Sequence, residues 1–389
     1  RWRADTPAAA RGRIHLNNAG AALMPAPVID VIQSYLGRES EMGGYEAEDA
    51  AAGEIAAVYD ALAALLGASA RNIAVIENAT TGFALALAAL DPGPGDIIIT
   101  TRDDYPSNQL MYLSLAARRG VEVVHAPDAP NGGVDPQAVR ELVRARRPRA
   151  VAVSHVPTHS GLVQPVEALG EICAEAEVPY IVDACQSVGQ IAIDAPALRC
   201  DVLVASARKF LRGPRGIGFL YASDDALARG LAPLYPDLRA ADWTAEDGFT
   251  VAEGARRFEN WEYPYALVLG MGEAARYATD VGVREAGGFA AEHAVYIRER
   301  LAALPGVRLL DRGPVLCAIA TATFDGHAPG DIVQRLREQA INTSVTRIDY
   351  PMLDASHRAA GSAVRISPHY YVTRRDIDIA LMAIEEFAE

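Results

Sequence analysis

The run Tyr180-Ile181-Val182-Asp183-Ala184-Cys185-Gln186-Ser187, and after it Ser206-Ala207-Arg208-Lys209-Phe210-Leu211-Arg212-Gly213-Pro214-Arg215-Gly216-Ile217-Gly218, decides the fold. Tyr180–Val182 reads as a short apolar strand that ends on an acidic residue. An acid at the carboxyl end of a parallel strand points into the crevice where such sheets bind ligands. Leu203–Ala205 and Gly218–Tyr221 read as two further strands on either side of a loop that contains Lys209. The glycines of 213–218 lie between this loop and the next strand, so they do not form a dinucleotide fingerprint. Lys209 is the one lysine among 36 basic residues in a chain of 389. Arginine stays protonated and is a poor nucleophile, whereas a lysine amine can lose its proton and condense with a carbonyl.

The same alternation extends outward in both directions. Ile73–Ile76, Ile97–Thr100, Val121–Val124 and Ala150–Val153 read as compact, mostly β-branched strands. Between them, Thr81–Ala89, Asn108–Arg118, Pro136–Arg144 and Val166–Ala176 read as helices, as does 50–67 near the start. This pattern predicts an α/β protein with a mainly parallel sheet sandwiched by helices. Around 235–265 the chain becomes aromatic, acidic and less periodic. Beyond it, 267–304 reads as one long helix, and Val307–Leu310, Cys317–Phe324, 329–339, Ala363–Ser367 and 374–388 give α+β character. The expected division is a large α/β domain over 1–265, its segment 1–30 packing on the other domain, and a small C-terminal α+β domain over 266–389.

Half the residues are hydrophobic and 22% are charged, as in water-soluble globular proteins. The net charge of −14 argues against nucleic-acid or anionic-membrane binding resting on bulk charge. No apolar run is long enough to span a bilayer, and the first residues lack the shape of a signal peptide. Cys173, Cys185, Cys200 and Cys317 are scattered and read as free thiols of a reducing cytoplasm. His155 and His159 do not predict a metal pair, because Pro157 breaks the helix that ligands at i and i+4 require.

Chemistry concentrates at the ends of the strands. Asp183 can pair with a protonated heteroaromatic nitrogen, and Gln186 can donate to a phenolate oxygen. Asn78-Ala79-Thr80-Thr81-Gly82 opens a helix, where backbone N–H groups and two hydroxyls suit a dianionic phosphate. Ser206 and Arg208 add a hydroxyl and a positive charge, and Tyr105 can stack on a ring. Taken singly, an acid such as Asp183 after a strand is more often a helix cap, and Thr80-Thr81 reads as a cap too. Taken with Lys209, the set describes a pyridoxal phosphate (PLP) site.

In this order and spacing, Asp183-x-x-Gln186, Ser206-x-x-Lys209 and Gly213-Pro214-x-Gly216-Ile217-Gly218 resemble the fold-type I, class V aminotransferase-like PLP enzymes. That family includes cysteine desulfurases, kynureninase, isopenicillin N epimerase and hercynylcysteine sulfoxide lyases. The resemblance runs from Leu16-Asn17-Asn18-Ala19-Gly20 to the last helix. It implies Lys209 as the Schiff-base lysine, Asp183 as partner of the pyridinium nitrogen and Gln186 as donor to the ring oxygen. It places Thr80, Thr81, Ser206 and Arg208 at phosphate-binding positions, and Arg208 stands where desulfurases usually carry histidine. Thr158 falls where desulfurases place an active-site asparagine. Arg365, in Val364-Arg365-Ile366-Ser367-Pro368-His369, resembles the arginine that clamps the substrate carboxylate.

The catalytic cysteine of desulfurases is missing from the matching stretch, Thr343 to Ala363. Glu41-Met42-Gly43-Gly44-Tyr45, the lysine loop and Arg365-Ile366-Ser367-Pro368-His369 resemble the sulfoxide lyases. The implied reaction is β-elimination from a cysteine S-conjugate or its sulfoxide, giving pyruvate and ammonia. Epimerisation and transamination, which pass through the same carbanion, are the alternatives. Tyr45, Arg212, Arg347 and His369 are expected to border the side-chain pocket. The resemblance implies a homodimer, but Glu262 stands where desulfurases place a threonine that reaches the neighbouring subunit's phosphate.

Overall fold

The computed structural model describes residues 2–353 and 359–388. Its strands in chain order are β1 (Ile14–His15), β2 (Ile73–Ile76), β3 (Ile97–Thr100), β4 (Glu122–His125), β5 (Ala150–Ser154), β6 (Tyr180–Asp183), β7 (Val202–Ser206) and β8 (Gly218–Ala222). There follow β9 (Ala241–Ala245), β10 (Gly248–Val251), β11 (Val307–Leu309), β12 (Ala320–Phe324), β13 (Ile341–Asn342), β14 (Ser344–Arg347) and β15 (Ser362–Ile366).

Seven strands form one sheet in the order β2-β8-β7-β6-β5-β3-β4. Every pairing among β3 to β7 is parallel, and β8 runs antiparallel to both its neighbours. Side chains alternate between faces with period two. Ile73, Val75, Ile97, Ile99, Val151, Val153 and Val182 enter one core, and Ala74, Ile76, Ile98, Ala150, Ala152, Ile181 and Val204 enter another. Both faces are covered by helices, which explains why these strands read as unbroken apolar runs. The register aligns the strand ends: Ser154 lies opposite Asp183, and Ser206 opposite Gly218.

A second, antiparallel sheet has the order β11-β12-β15-β14. Its core gathers Ala322, Phe324, Val364 and Ile366 with Leu336, Ile377 and Leu381 from helices, and with Ala9, Ile14 and Leu16 from the start of the chain. There β1 pairs in parallel with β13.

Three expectations change. The stretch 267–304 is two helices, Tyr265–Val281 and Val283–Ala302, interrupted at Gly282 with φ 86°. Ala266, Leu269, Met271 and Ala275 of the first belong to the core under the large sheet. Cys317 precedes β12 instead of lying within it; its N–H donates to Gly161 O at 2.8 Å. The aromatic 235–265 region holds an antiparallel hairpin, β9 and β10, with Trp243 and Phe249 exposed.

Candidate active site

The carboxyl ends of β2, β3, β5, β6 and β7 share one edge of the sheet, and the residues following them meet there. Thr80, Tyr105, Thr158, Asp183, Gln186, Ser206, Arg208 and Lys209 line a single cavity, with Ala79, Ser154, Val156 and Cys185 completing its wall. Gly189 fixes the β6 loop against the lysine loop. Its φ is +93°, and a Cβ there would meet the backbone of Phe210 at 2.3 Å.

Asp183 is buried and accepts from Cys185 N at 2.9 Å and from Asn108 Nδ2 at 3.1 Å. Asn108 also donates to Asp104 Oδ1 at 3.2 Å, which links two buried carboxylates through one amide. Asp104 collects Ser154 Oγ at 2.6 Å, Tyr105 N at 2.7 Å, Tyr112 OH at 3.0 Å and Thr100 Oγ1 at 3.1 Å. Burial, with the nearby Asp183 charge adding to it, raises the Asp104 pKa to about 6, against the pull of the Ser154 hydrogen bond. Asp104, Asn108 and Ser154 were missed in the sequence. The i, i+4 spacing of Asp104 and Asn108 after a strand was the available signal.

Lys209 is buried, and that burial lowers its pKa, favouring the neutral amine. Its Nζ lies 5.7 Å from the Tyr105 ring centroid. At the start of the helix Ala79–Ala89, Ala79 N donates to Ser206 Oγ at 3.1 Å and Thr81 N to the capping Asn78 Oδ1 at 3.0 Å. Thr80 therefore reaches the cavity, while Thr81 serves the cap. Arg208 Nη1 donates to Gly20 O.

Gln186 Nε2 donates to Ala19 O at 3.0 Å and to Thr158 Oγ1 at 3.3 Å, and its buried Oε1 has no partner. Arg365 Nη1 donates to Thr158 O at 2.7 Å and to Thr158 Oγ1 at 3.0 Å, and its buried Nε has no partner. The Thr158 hydroxyl thus accepts twice and keeps its own proton to donate. Burial, then the neighbouring Arg208, lowers the Arg365 pKa to about 10, so the guanidinium remains charged at neutral pH.

Four expected pocket residues lie elsewhere. Arg212 is fully buried under the N-terminal segment, where it donates to Leu23 O at 2.9 Å, Tyr370 OH at 3.0 Å and Thr6 Oγ1 at 2.6 Å. Its guanidinium carbon also lies 4.4 Å from the Tyr371 ring centroid. His369 stacks between Phe210 and Tyr371 and meets Phe210 O at 3.0 Å; burial lowers its pKa. Tyr45 is 71% exposed, and Arg347 is paired with its near neighbour Asp349. None of the four lines the cavity, because structural contacts or solvent take their polar groups. His159 Nε2 meets Asp103 Oδ1 at 2.8 Å outside the cavity. Glu262 is exposed.

The side chains suit PLP: a carboxylate for a ring nitrogen, a free hydroxyl for a ring oxygen, a buried amine, and a cation beside a helix start; the expected donation by Gln186 is not available, since its Nε2 is already engaged. Fold and site together define a fold-type I PLP enzyme.

The chain belongs to the aminotransferase class-V family, whose model matches residues 14–380. It is 29% identical to a probable hercynylcysteine sulfoxide lyase of Mycobacterium tuberculosis, over 97% of this chain and 90% of that one. It is 27% identical to a probable cysteine desulfurase of Synechocystis, over 96% and 90%. It resembles a mutant of C-DES with glycine covalently linked to the PLP cofactor, with a TM-score of 0.87, 25% identity and 99% of both chains covered. Among the described residues, no helix is long and apolar enough to cross a membrane.

Proposed function

We propose that this enzyme is a PLP-dependent C–S lyase that eliminates the sulfur substituent from Cβ of a cysteine S-conjugate or its sulfoxide. The observation that carries this reading is the state of the thiols. Cys173, Cys200 and Cys317 are buried, and burial raises their pKa, that of Cys317 to about 12. Cys185 lies in the cavity wall, and burial raises its pKa too. The stretch from Thr343 to Ala363 carries no cysteine. A desulfurase needs a thiolate to take the substrate sulfur. Here the sulfur leaves with its own substituent. The name of the Mycobacterium tuberculosis relative agrees with this.

PLP bound in the cavity supplies an electron sink for a carbanion at the substrate Cα. Asp183 holds a proton at the ring nitrogen, and Asn108 fixes the orientation of its carboxylate. Thr158 would donate its free O–H to the ring oxygen, and Gln186, whose Nε2 donates to Ala19 O and to Thr158 Oγ1, holds that hydroxyl in place. Thr80, Ser206 and Arg208 hold the phosphate, and Tyr105 covers the ring. Arg365 binds the α-carboxylate through Nε and Nη2. Lys209 would anchor the coenzyme through its amine and, once the substrate amine has displaced it, would take the Cα proton as the neutral base that burial favours. The C–S bond breaks, its electron pair leaves on sulfur, and hydrolysis of the remaining three-carbon fragment gives pyruvate and ammonia. A cytoplasmic homodimer belongs to the same reading; exposed Leu110 and Leu113, on the helix that begins after Tyr105, suit cover by a second subunit.

The test is a panel of cysteine S-conjugates and their sulfoxides given to holoenzyme, with pyruvate and ammonia measured together. Equal amounts of both, absent with Lys209→Ala, are expected. Undiminished turnover by Lys209→Ala overturns the scheme.

A further inference from the structure

Asp104 is 3% exposed and lies behind the wall of the coenzyme cavity, which its neighbours Tyr105 and Ser154 line. Its Oδ1 accepts from Ser154 Oγ, Tyr105 N and Asn108 Nδ2. Its Oδ2 accepts from Tyr112 OH, Thr100 Oγ1 and Gln109 Nε2. All of these donors are neutral, and both oxygens are surrounded by them. A protonated carboxyl would need to turn one donor into an acceptor, so the shell suits a carboxylate anion. Burial and the charge of Asp183 both oppose that anion, so an ionised Asp104 costs the fold stability. Sites that break the rules of stability in this way are expected where function requires them.

Asn108 links this carboxylate to the coenzyme site. Its Nδ2 gives one proton to Asp104 Oδ1 at 3.2 Å and the other to Asp183 Oδ2 at 3.1 Å, while its buried Oδ1 has no partner. The reverse orientation would turn the amide oxygen towards two anions, so the pair of carboxylates sets which way Asn108 faces. With a neutral residue at position 104, only half of that constraint remains.

We propose that Asp104 is a positioning residue for the coenzyme ring: it pins the Asn108 amide with its nitrogen towards Asp183, and its negative charge strengthens the hold of Asp183 on a protonated ring nitrogen. The proposal rests on Asp183 as the partner of that nitrogen. It adds to the proposed function a residue that does not itself touch coenzyme or substrate.

The test loads the apoenzyme with PLP or with its deaza analogue, in which C–H replaces the ring nitrogen, and measures both dissociation constants by equilibrium dialysis. Their ratio isolates the nitrogen, because the two molecules are otherwise alike. Wild type should prefer PLP, and Asp183→Ala should remove most of that preference. Asp104→Asn should reduce the preference about three- to tenfold, on the scale of one hydrogen bond. Asn108→Ala cuts the bridge, leaves Asp104 in place and should reduce it by as much. The double variant should lose no more than either single one, because the two residues act in series. An affinity loss shared equally by both coenzymes, an unchanged preference in Asp104→Asn, or additive losses in the double variant would make Asp104 merely structural and overturn the proposal. Where Asp104→Asn does not fold, Asn108→Ala carries the test, and an unchanged preference there overturns it equally. A preference unchanged by Asp183→Ala overturns instead the role given to Asp183.

Discussion

Replacing Arg365 by Met should remove the grip on the substrate carboxylate, and the structure sets the size of the effect. Both Nη1 protons are engaged, at 2.7 Å and 3.0 Å, on Thr158. That leaves Nε–H, which has no partner, and the Nη2 protons on the same edge, a fork matched to a carboxylate. Two charge-assisted hydrogen bonds of about 1.5–3 kcal/mol each give about 3–6 kcal/mol, or about 10²–10⁴-fold in kcat/KM. Arg365→Lys keeps a charge but not the fork and should fall between wild type and Arg365→Met. The assay is pyruvate release across substrate concentrations. Binding of the matching amine without a carboxylate is followed through the coenzyme absorption band. Arg365→Met should leave that amine's affinity unchanged. A kcat/KM within about threefold of wild type, or an equal loss with the carboxylate-free amine, would refute the assignment.

Borohydride reduction of the holoenzyme should fix one pyridoxyl group on Lys209 and none elsewhere, since the chain has no other lysine; peptide mass spectrometry reads this. Lys209→Arg should be inactive despite its charge, as a guanidinium does not give up a proton near neutral pH. Asp104 has a folded-state pKa of about 6 against 3.8 for a free side chain, so the folded protein binds its proton more tightly. Its stabilising contribution is present at low pH and is lost as pH rises from about 4 to about 6, a change of about 3 kcal/mol. Asp104→Asn should therefore gain on wild type by about that amount between those pH values in urea unfolding at fixed coenzyme concentration. An unchanged difference across the range would contradict the buried charge. Arg212→Met should lose about 2–4 kcal/mol of stability through the acceptors it strands, with KM unchanged in the folded enzyme. A large rise in KM would return Arg212 to the substrate pocket.

The sequence was most legible where one physical rule acts locally. Strands buried on both faces read as apolar runs, and the acid and lysine that follow them stood out by type and by order. Helix starts were read late: Pro106–Arg119 and Ala79–Ala89 both begin two residues before the expected position, because proline and a capping Asn78 set them. Gly282 was absorbed into a helical stretch because glycine alone does not announce a break. Arg212 and His369 were misplaced for a different reason. They sit beside the matched motif positions in the chain, but their side chains turn into the packing between the N-terminal segment and Tyr370–Tyr371. The Asp104–Asn108–Asp183 bridge joins two strand ends that are neighbours only once the sheet has formed.

The measurement that bears most directly on the central claim is product analysis in deuterated water, with holoenzyme, free cysteine and one cysteine S-conjugate sulfoxide. The account predicts pyruvate and ammonia in equal amounts from the conjugate, with its substituent released on sulfur and no alanine formed. Alanine with persulfide sulfur left on the protein would make the enzyme a desulfurase after all. Recovered amino acid carrying deuterium at Cα, without pyruvate, would show a carbanion that is reprotonated and would contradict elimination.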